Sequence, residues 1–196
     1  MAGSNGTAKG TAKGSKSAGG LTASSGGFGD REYEDIAKWR DFADTYQNTP
    51  GFPADWKNEV RSSRHLAGMI EFEASDRPKN FISVRDVKGR LQASAYVTSR
   101  NGYLYLELLA SAPWNVARIP GDEKVVKGAG TTAIVAVIKE SVKRGYGGKV
   151  QLEALPNAVP FYEKLGFDRV PGKPGGGLPK FALSAEQADK LLKMHG

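Results

Sequence analysis

Apolar positions recur at two spacings along this 196-residue chain, and the switch between them marks its elements. Over 30–47, "DREYEDIAKWRDFADTYQ", Tyr33, Ile36, Trp39, Phe42 or Ala43, and Tyr46 recur at helical spacing, with Asp30 placed to cap. "NTPGFP" at 48–53 breaks the chain. A second helical pattern over 54–75 carries Trp56, Val60, Ser63, Ala67, Ile70 and Ala74. Its second half is ambiguous, because Gly68 weakens a helix and "MIEFEA" alone passes for a short strand.

The period then changes to alternation. "NFISVRD" (80–86), "LQASAYVTS" (91–99) and "YLYLELLAS" (103–111) read as strands, the last two joined by the hairpin signal Asn101-Gly102. They predict an antiparallel meander. The third run is apolar on both faces, with Leu104, Leu106 and Leu108 against Tyr103, Tyr105 and Leu109, so it belongs in the sheet's interior.

After a loop from Pro113 to about Lys127, a helix is expected from about Thr131 to Arg144. It has a Glu140–Arg144 pair across one turn and Gly145 as its stop. "KVQLEA" (149–154) must return parallel to an earlier strand through that helical crossover. "NAVPFYEKLG" (157–166) reads as a short helix capped by Asn157. "FDRVPG" and "PKFALS" read as two closing strands, and Ser184 caps a terminal amphipathic helix. The order is ααβββαβαββα. It predicts an α+β fold: a mixed, mostly antiparallel sheet with helices on both faces.

Composition adds one boundary. Residues 1–29 are Gly-, Ser-, Ala-, Thr- and Lys-rich, with "GTAK" in tandem, and read as a disordered tail ahead of one domain over 30–196. Lys9, Lys13 and Lys16, with no acid beside them, supply part of the formal net charge of +7. The remaining basic residues are dispersed, so a nucleic-acid-binding module is the weakest reading. With no cysteine there is no thiolate nucleophile and no Cys-based metal site. The two histidines, far apart in sequence, suggest no metal site either. No apolar run is long enough to span a bilayer, and the start lacks a signal-peptide core; a cytoplasmic protein without a membrane partner is expected.

Two stretches carry chemistry. In "VVKGAGTT" (125–132), Gly128 and Gly130 precede a helix. They let backbone N–H groups face an anion at the positive end of the helix dipole, and Lys127 adds a charge. Neither a P-loop nor a full dinucleotide-binding fingerprint is present. The second stretch is "NAVPFYEKLGF" (157–167). Together the two segments resemble the GNAT superfamily of N-acetyltransferases, as does the order of elements. The resemblance is close over about 80–183 and rests on element order alone over 30–79.

The resemblance implies acetyl-CoA as co-substrate and direct attack of an amine on its thioester. The pantetheine arm would pair with backbone near Leu109, Ala110 and Ser111, and Asn157 would contact it. The pyrophosphate would take N–H groups from Lys127, Gly128, Ala129, Gly130, Thr131 and Thr132. Tyr162 would protonate the departing thiolate. Glu107 is the lone charge within its strand; it is either a general base or the partner of a cation on a neighbouring strand. The acceptor expected is a small-molecule amine, with a protein or aminoacyl-tRNA amine as the alternative. A non-catalytic CoA- or partner-binding domain is a further reading. Members of the family commonly form homodimers, and the terminal helix offers one surface for that.

Three features depart from the family pattern. Val125 stands where a polar Gln or Arg is usual, and Lys127 is positioned to compensate. The loop from Pro113 to Val126, with Trp114, Asn115 and Arg118, is long. No opening strand precedes the helix at 30–47.

Overall fold

The computed structural model describes residues 15–16, 20–116, 125–171 and 177–195. The elements, in chain order, are β1 (Ser15–Lys16), β2 (Thr22–Ser24), α1 (Asp30–Gln47), α2 (Ala54–Asp76), β3 (Phe81–Arg85), β4 (Leu91–Arg100), β5 (Tyr103–Ser111), α3 (Pro113–Val116), α4 (Ala129–Lys143), β6 (Val150–Glu153), α5 (Val159–Lys164), β7 (Asp168–Val170), β8 (Lys180–Leu183) and α6 (Ala185–His195). They form one sheet in the order β1-β2-β3-β4-β5-β6-β8-β7. Every pairing is antiparallel except β5 with β6. The expected meander and the parallel return through the α4 crossover are both present.

The missing opening strand comes from the segment read as tail. Thr22–Ser24 pairs with β3, and the flanking Leu21 and Phe28 are buried. Two apolar residues in a Gly/Ser-rich stretch are too few to produce a periodic signal, yet each anchors one end of the strand. The ordered domain therefore begins well before residue 30; residues 1–14 and 17–19 lie outside the described residues.

Helices α1 and α2 cover one face through Ile36, Trp39, Phe42, Ala67, Ile70 and Ala74, packed on Phe81, Leu91 and Tyr96. Arg85 on β3 fastens α1 by donating to Glu32 at 2.6 Å and Asp35 at 2.5 Å. Helix α2 runs unbroken to Asp76, resolving the ambiguity at "MIEFEA", because its apolar stripe at helical spacing lies on the sheet. On the other face α4 and α6 bury Ile134, Val137, Ile138, Ala188 and Leu191 against Ile82, Val97, Leu104, Leu106 and Val150.

Three helix starts differ from expectation. Gly29, not Asp30, is the N-cap of α1, and the Glu32 carboxylate accepts the Gly29 N–H at 3.1 Å. Helix α4 begins at Ala129 with Gly128 as N-cap, earlier than Thr131. Asn157 belongs to a 3₁₀ turn over Pro156–Ala158 and makes no capping bond; α5 starts after it. The Ser184 cap is as expected, in reciprocal form: its hydroxyl accepts the Gln187 N–H and the Gln187 side chain accepts the Ser184 N–H. Glu140 and Arg144 pair at 2.8 Å.

Strand β5 departs from simple alternation. Val97 pairs with Leu106 while Tyr96 pairs with Leu108, so Glu107 has no partner of its own and forms a bulge. One extra residue reverses which face later side chains take. Leu104 and Leu106 lie in the α4-side core, whereas Leu108 and Ala110 lie in the α1/α2-side core. The expectation that Leu108 shares a face with Leu104 and Leu106 is corrected accordingly.

Candidate active site

The parallel pair β5–β6 is short. Only Leu104–Leu106 meet Val150–Leu152. Beyond that point β5 runs on to Ser111, while the chain after β6 turns aside, with the Ala154 N–H bonded to the Pro179 carbonyl at 2.9 Å. The β6-facing side of residues 107–111 thus has no strand partner among the described residues. A strand edge without a partner presents backbone donors and acceptors to an extended ligand.

A cleft of about 380 Å³ opens at this gap. Its lining includes Leu109 and Ser111 of β5, Gly128, Gly130 and Thr131 at the start of α4, Asn157 and Tyr162. Seven residues singled out in the sequence are thereby brought to one cavity from four separate elements. The side chains of Ala110 and Ala129 are buried in the core, leaving only their backbones for a ligand.

The start of α4 leaves several backbone N–H groups unpaired. Gly128 has φ +86°, a left-handed conformation that side chains other than glycine rarely adopt. At Gly130 a Cβ would lie 3.3 Å from the Phe161 ring, so the missing side chain lets α5 close over the turn. The Thr132 N–H already bonds the Gly128 carbonyl at 2.9 Å, and its side chain is buried. Thr132, expected to offer its N–H to an anion, therefore has that N–H already engaged. Ala129, Gly130 and Thr131 keep first-turn N–H groups without an intrahelical acceptor. Lys127 is exposed just ahead of them and is not part of the cleft wall.

Tyr162 is buried among Phe161, Phe167 and Phe181, at ring-centroid distances of 5.1, 5.6 and 6.1 Å. Its hydroxyl has no hydrogen-bond partner among the described residues. Burial alone pushes its phenol well above the usual tyrosine range. The group is therefore a neutral O–H donor across the neutral and moderately alkaline range.

Glu107 sits elsewhere. Its Oε1 accepts from Thr98 Oγ1 at 2.6 Å and from Arg100 Nη2 at 2.8 Å, and it is not among the cleft-lining residues. Of the two sequence readings, the geometry displays the pairing with a cation on the neighbouring strand. Arg118 lies outside the described residues.

One wall was missed from sequence. Glu59, Ser62, Ser63 and Leu66 of α2 line the cleft opposite α4, with Val116, Leu155, Ala158 and Phe161 completing it. The signal was present as Ser63, a polar residue inside the buried stripe of α2. Its helical neighbours at one-turn spacing are Glu59 and Leu66.

No protein-family model matches the sequence, and no curated protein matches it. Solved structures do match in shape. A GNAT-family acetyltransferase from Staphylococcus aureus superposes with a TM-score of 0.51 at 10% identity, covering 84% of this chain and 99% of its own. The PaiA N-acetyltransferase of Thermoplasma acidophilum, in complex with coenzyme A, gives a TM-score of 0.49 at 15% identity over 83% and 96% of the two chains. A ribosomal-protein-alanine N-acetyltransferase from Escherichia coli gives 0.46 at 17% identity over 83% and 90%. The Staphylococcus aureus match carries the conclusion: this chain has the fold of the GNAT acetyltransferases.

Proposed function

We propose that the chain is an acyl-CoA-dependent N-acyltransferase that moves an acetyl group from acetyl-CoA to a small-molecule amine. The observation that carries this reading is the convergence of three features on one cleft: an unpaired β5 edge, free N–H groups at the start of α4, and the Tyr162 hydroxyl. The residues present fit such a donor, because nothing lies within 4 Å of a Cβ position at Gly128, which leaves that side of the turn open to a diphosphate. Acetyl-CoA supplies, when bound, a thioester whose carbonyl carbon accepts a nucleophile.

The chain's own groups divide the remaining work. The β5 edge near Leu109–Ser111 aligns the extended arm, Asn157 contacts it through its amide, and the α4 N-terminus holds the diphosphate, with Lys127 adding charge. As the amine nitrogen forms the new C–N bond and the C–S bond breaks, negative charge collects on sulfur, and the proton that the nitrogen then sheds passes through water to give the amide and the free thiol. Tyr162 donates a hydrogen bond to it. Complete proton transfer from this phenol to a thiolate, whose conjugate acid has a pKa of about 8.5, is uphill, so donation of the hydrogen bond is the role its burial supports. The ammonium proton leaves to solvent water before attack, because Glu107 is held by Thr98 and Arg100 away from the cleft wall. Glu59 on the α2 wall adds a carboxylate to the acceptor end of the cleft.

Calorimetry with coenzyme A and acetyl-CoA, followed by thiol release over an amine panel, tests the reading. Micromolar binding and amine-dependent release are expected. Absence of binding at millimolar cofactor sinks it, and binding without release for any small amine moves the acceptor to a protein or removes catalysis.

A further inference from the structure

We propose that Asn115 is a positioning residue that aims the anion-binding turn at the start of α4. The inference rests on the coenzyme A reading above. It gives a task to a residue that sequence alone leaves in a connecting loop.

The Oδ1 of Asn115 accepts the backbone N–H of Val126 at 2.7 Å, directly ahead of Lys127 and Gly128. The other end of the same carboxamide is anchored. Its Nδ2 donates to Gln92 Oε1 at 3.0 Å and to the Gln92 carbonyl at 3.3 Å. Gln92 lies on β4 with 0% exposure, and its Oε1 also accepts from Trp114 Nε1 at 3.0 Å. Its Nε2 donates to Asp86 Oδ2 at 2.8 Å, an oxygen that Arg90 also holds at 2.8 Å. A continuous chain of bonds thus runs from the β3–β4 turn through β4 and α3 to the backbone of Val126.

A fully buried glutamine amide is costly unless bonded, and here both its oxygen and its nitrogen are bonded, so it holds one orientation. Asn115 inherits that orientation and passes it to the turn. Among the described residues, the turn has few other restraints. Positions 125 and 126 are both valine, with no polar side chain to brace it. The Val126 side chain packs on Ala129 and Ala133, but apolar packing restrains direction less than a hydrogen bond does. Nothing lies within 4 Å of a Cβ built at Gly128, so that residue is not held by contacts at its side-chain position. Asn115 therefore does from outside the turn what a polar residue at 125 would do from within it. Aiming the N–H groups before the ligand arrives removes an ordering cost from binding.

The test compares two acyl donors on Asn115→Ala: acetyl-CoA, and S-acetylpantetheine, which has the thioester arm without the diphosphate. Asn115→Ala is expected to weaken coenzyme A binding by calorimetry about tenfold. The KM for acetyl-CoA should rise by a similar factor, with kcat at saturation and the KM for S-acetylpantetheine close to those of the unaltered protein. Equal losses with both donors mean that Asn115 acts through general packing and overturn the proposal, as does an unchanged coenzyme A affinity. If Asn115→Ala does not fold, amide hydrogen exchange on the unaltered protein reads the bond directly. A protected Val126 N–H supports the proposal, and one exchanging at the free-peptide rate overturns it. Failure of the unaltered protein to bind coenzyme A at all is a separate outcome, which removes the functional reading itself.

Discussion

The two halves of β5 are one continuous strand with opposite fates. Leu104–Leu106 are closed on both sides, by β4 and β6, and bury their even-numbered side chains against α4. Leu108–Ser111 keep β4 but lose β6, and their free side faces a cleft. The amino acids barely differ in apolar character; "YLYL" is followed by "ELLAS". What separates the halves is one unpaired residue at the bulge and a neighbour that turns away. The closed half is a packing device, and under the proposed function the open half is a binding device. Substitutions in the two should therefore fail in different ways.

The largest effect is expected in the closed half. Leu104→Ala removes a side chain with 0% exposure and should cost about 2–5 kcal/mol of stability. Chemical denaturation measures it; a cost under 1 kcal/mol would mean that the closed half is not the firm one. Next is Tyr162→Phe, on the cleft. The hydroxyl has no protein partner among the described residues, so stability should hold while turnover falls about a hundredfold. Because burial raises the Tyr162 pKa above its ordinary 10.0, the phenol does not ionise in the working range. The pH–rate profile of Tyr162→Phe should therefore keep the shape of the parent's, only lower. Loss of an alkaline limb between about pH 8 and pH 10 would contradict the assigned environment.

Gly130→Val should act more on binding than on stability. The new Cβ lies 3.3 Å from the Phe161 ring, so stability should fall by about 1–3 kcal/mol. Coenzyme A affinity should drop about tenfold as the side chain screens the α4 N–H groups, which titration calorimetry reads directly. The smallest effect on stability is expected at the hinge between the halves. Glu107 pairs with an Arg100 whose side chain is 53% exposed, so Glu107→Gln should cost well under about 1 kcal/mol. Turnover is the discriminating measurement here. A fall that is rescued at higher pH, where the free amine needs no base, assigns Glu107 to proton removal, and an unchanged rate leaves it as the partner of Arg100.

Features decided within a few neighbouring residues were legible in advance. The periodic stripe of α4, the Asn101-Gly102 hairpin, the Ser184–Gln187 cap and the Glu140–Arg144 pair each depend on one turn of chain. So does the Gly-x-Gly entry to α4, whose meaning sharpened only beside the segment bearing Tyr162. Features that depend on which distant strand lies alongside were not legible. Nothing local marks Thr22–Ser24 as a strand, because its pairing energy comes from β3 some sixty positions later. Nothing in "YLYLELLAS" announces the bulge, because an extra residue is defined only against a partner's register. The α2 wall of the cleft and the Gln92–Asn115–Val126 chain of bonds likewise join residues that share no sequence neighbourhood. By itself the sequence determined the elements with a periodic signal and the residues able to do chemistry. Tertiary structure decided which of them meet, because periodicity and capping are satisfied within a turn of chain, whereas pairing, burial and the parting of two strands are settled only by long-range contacts.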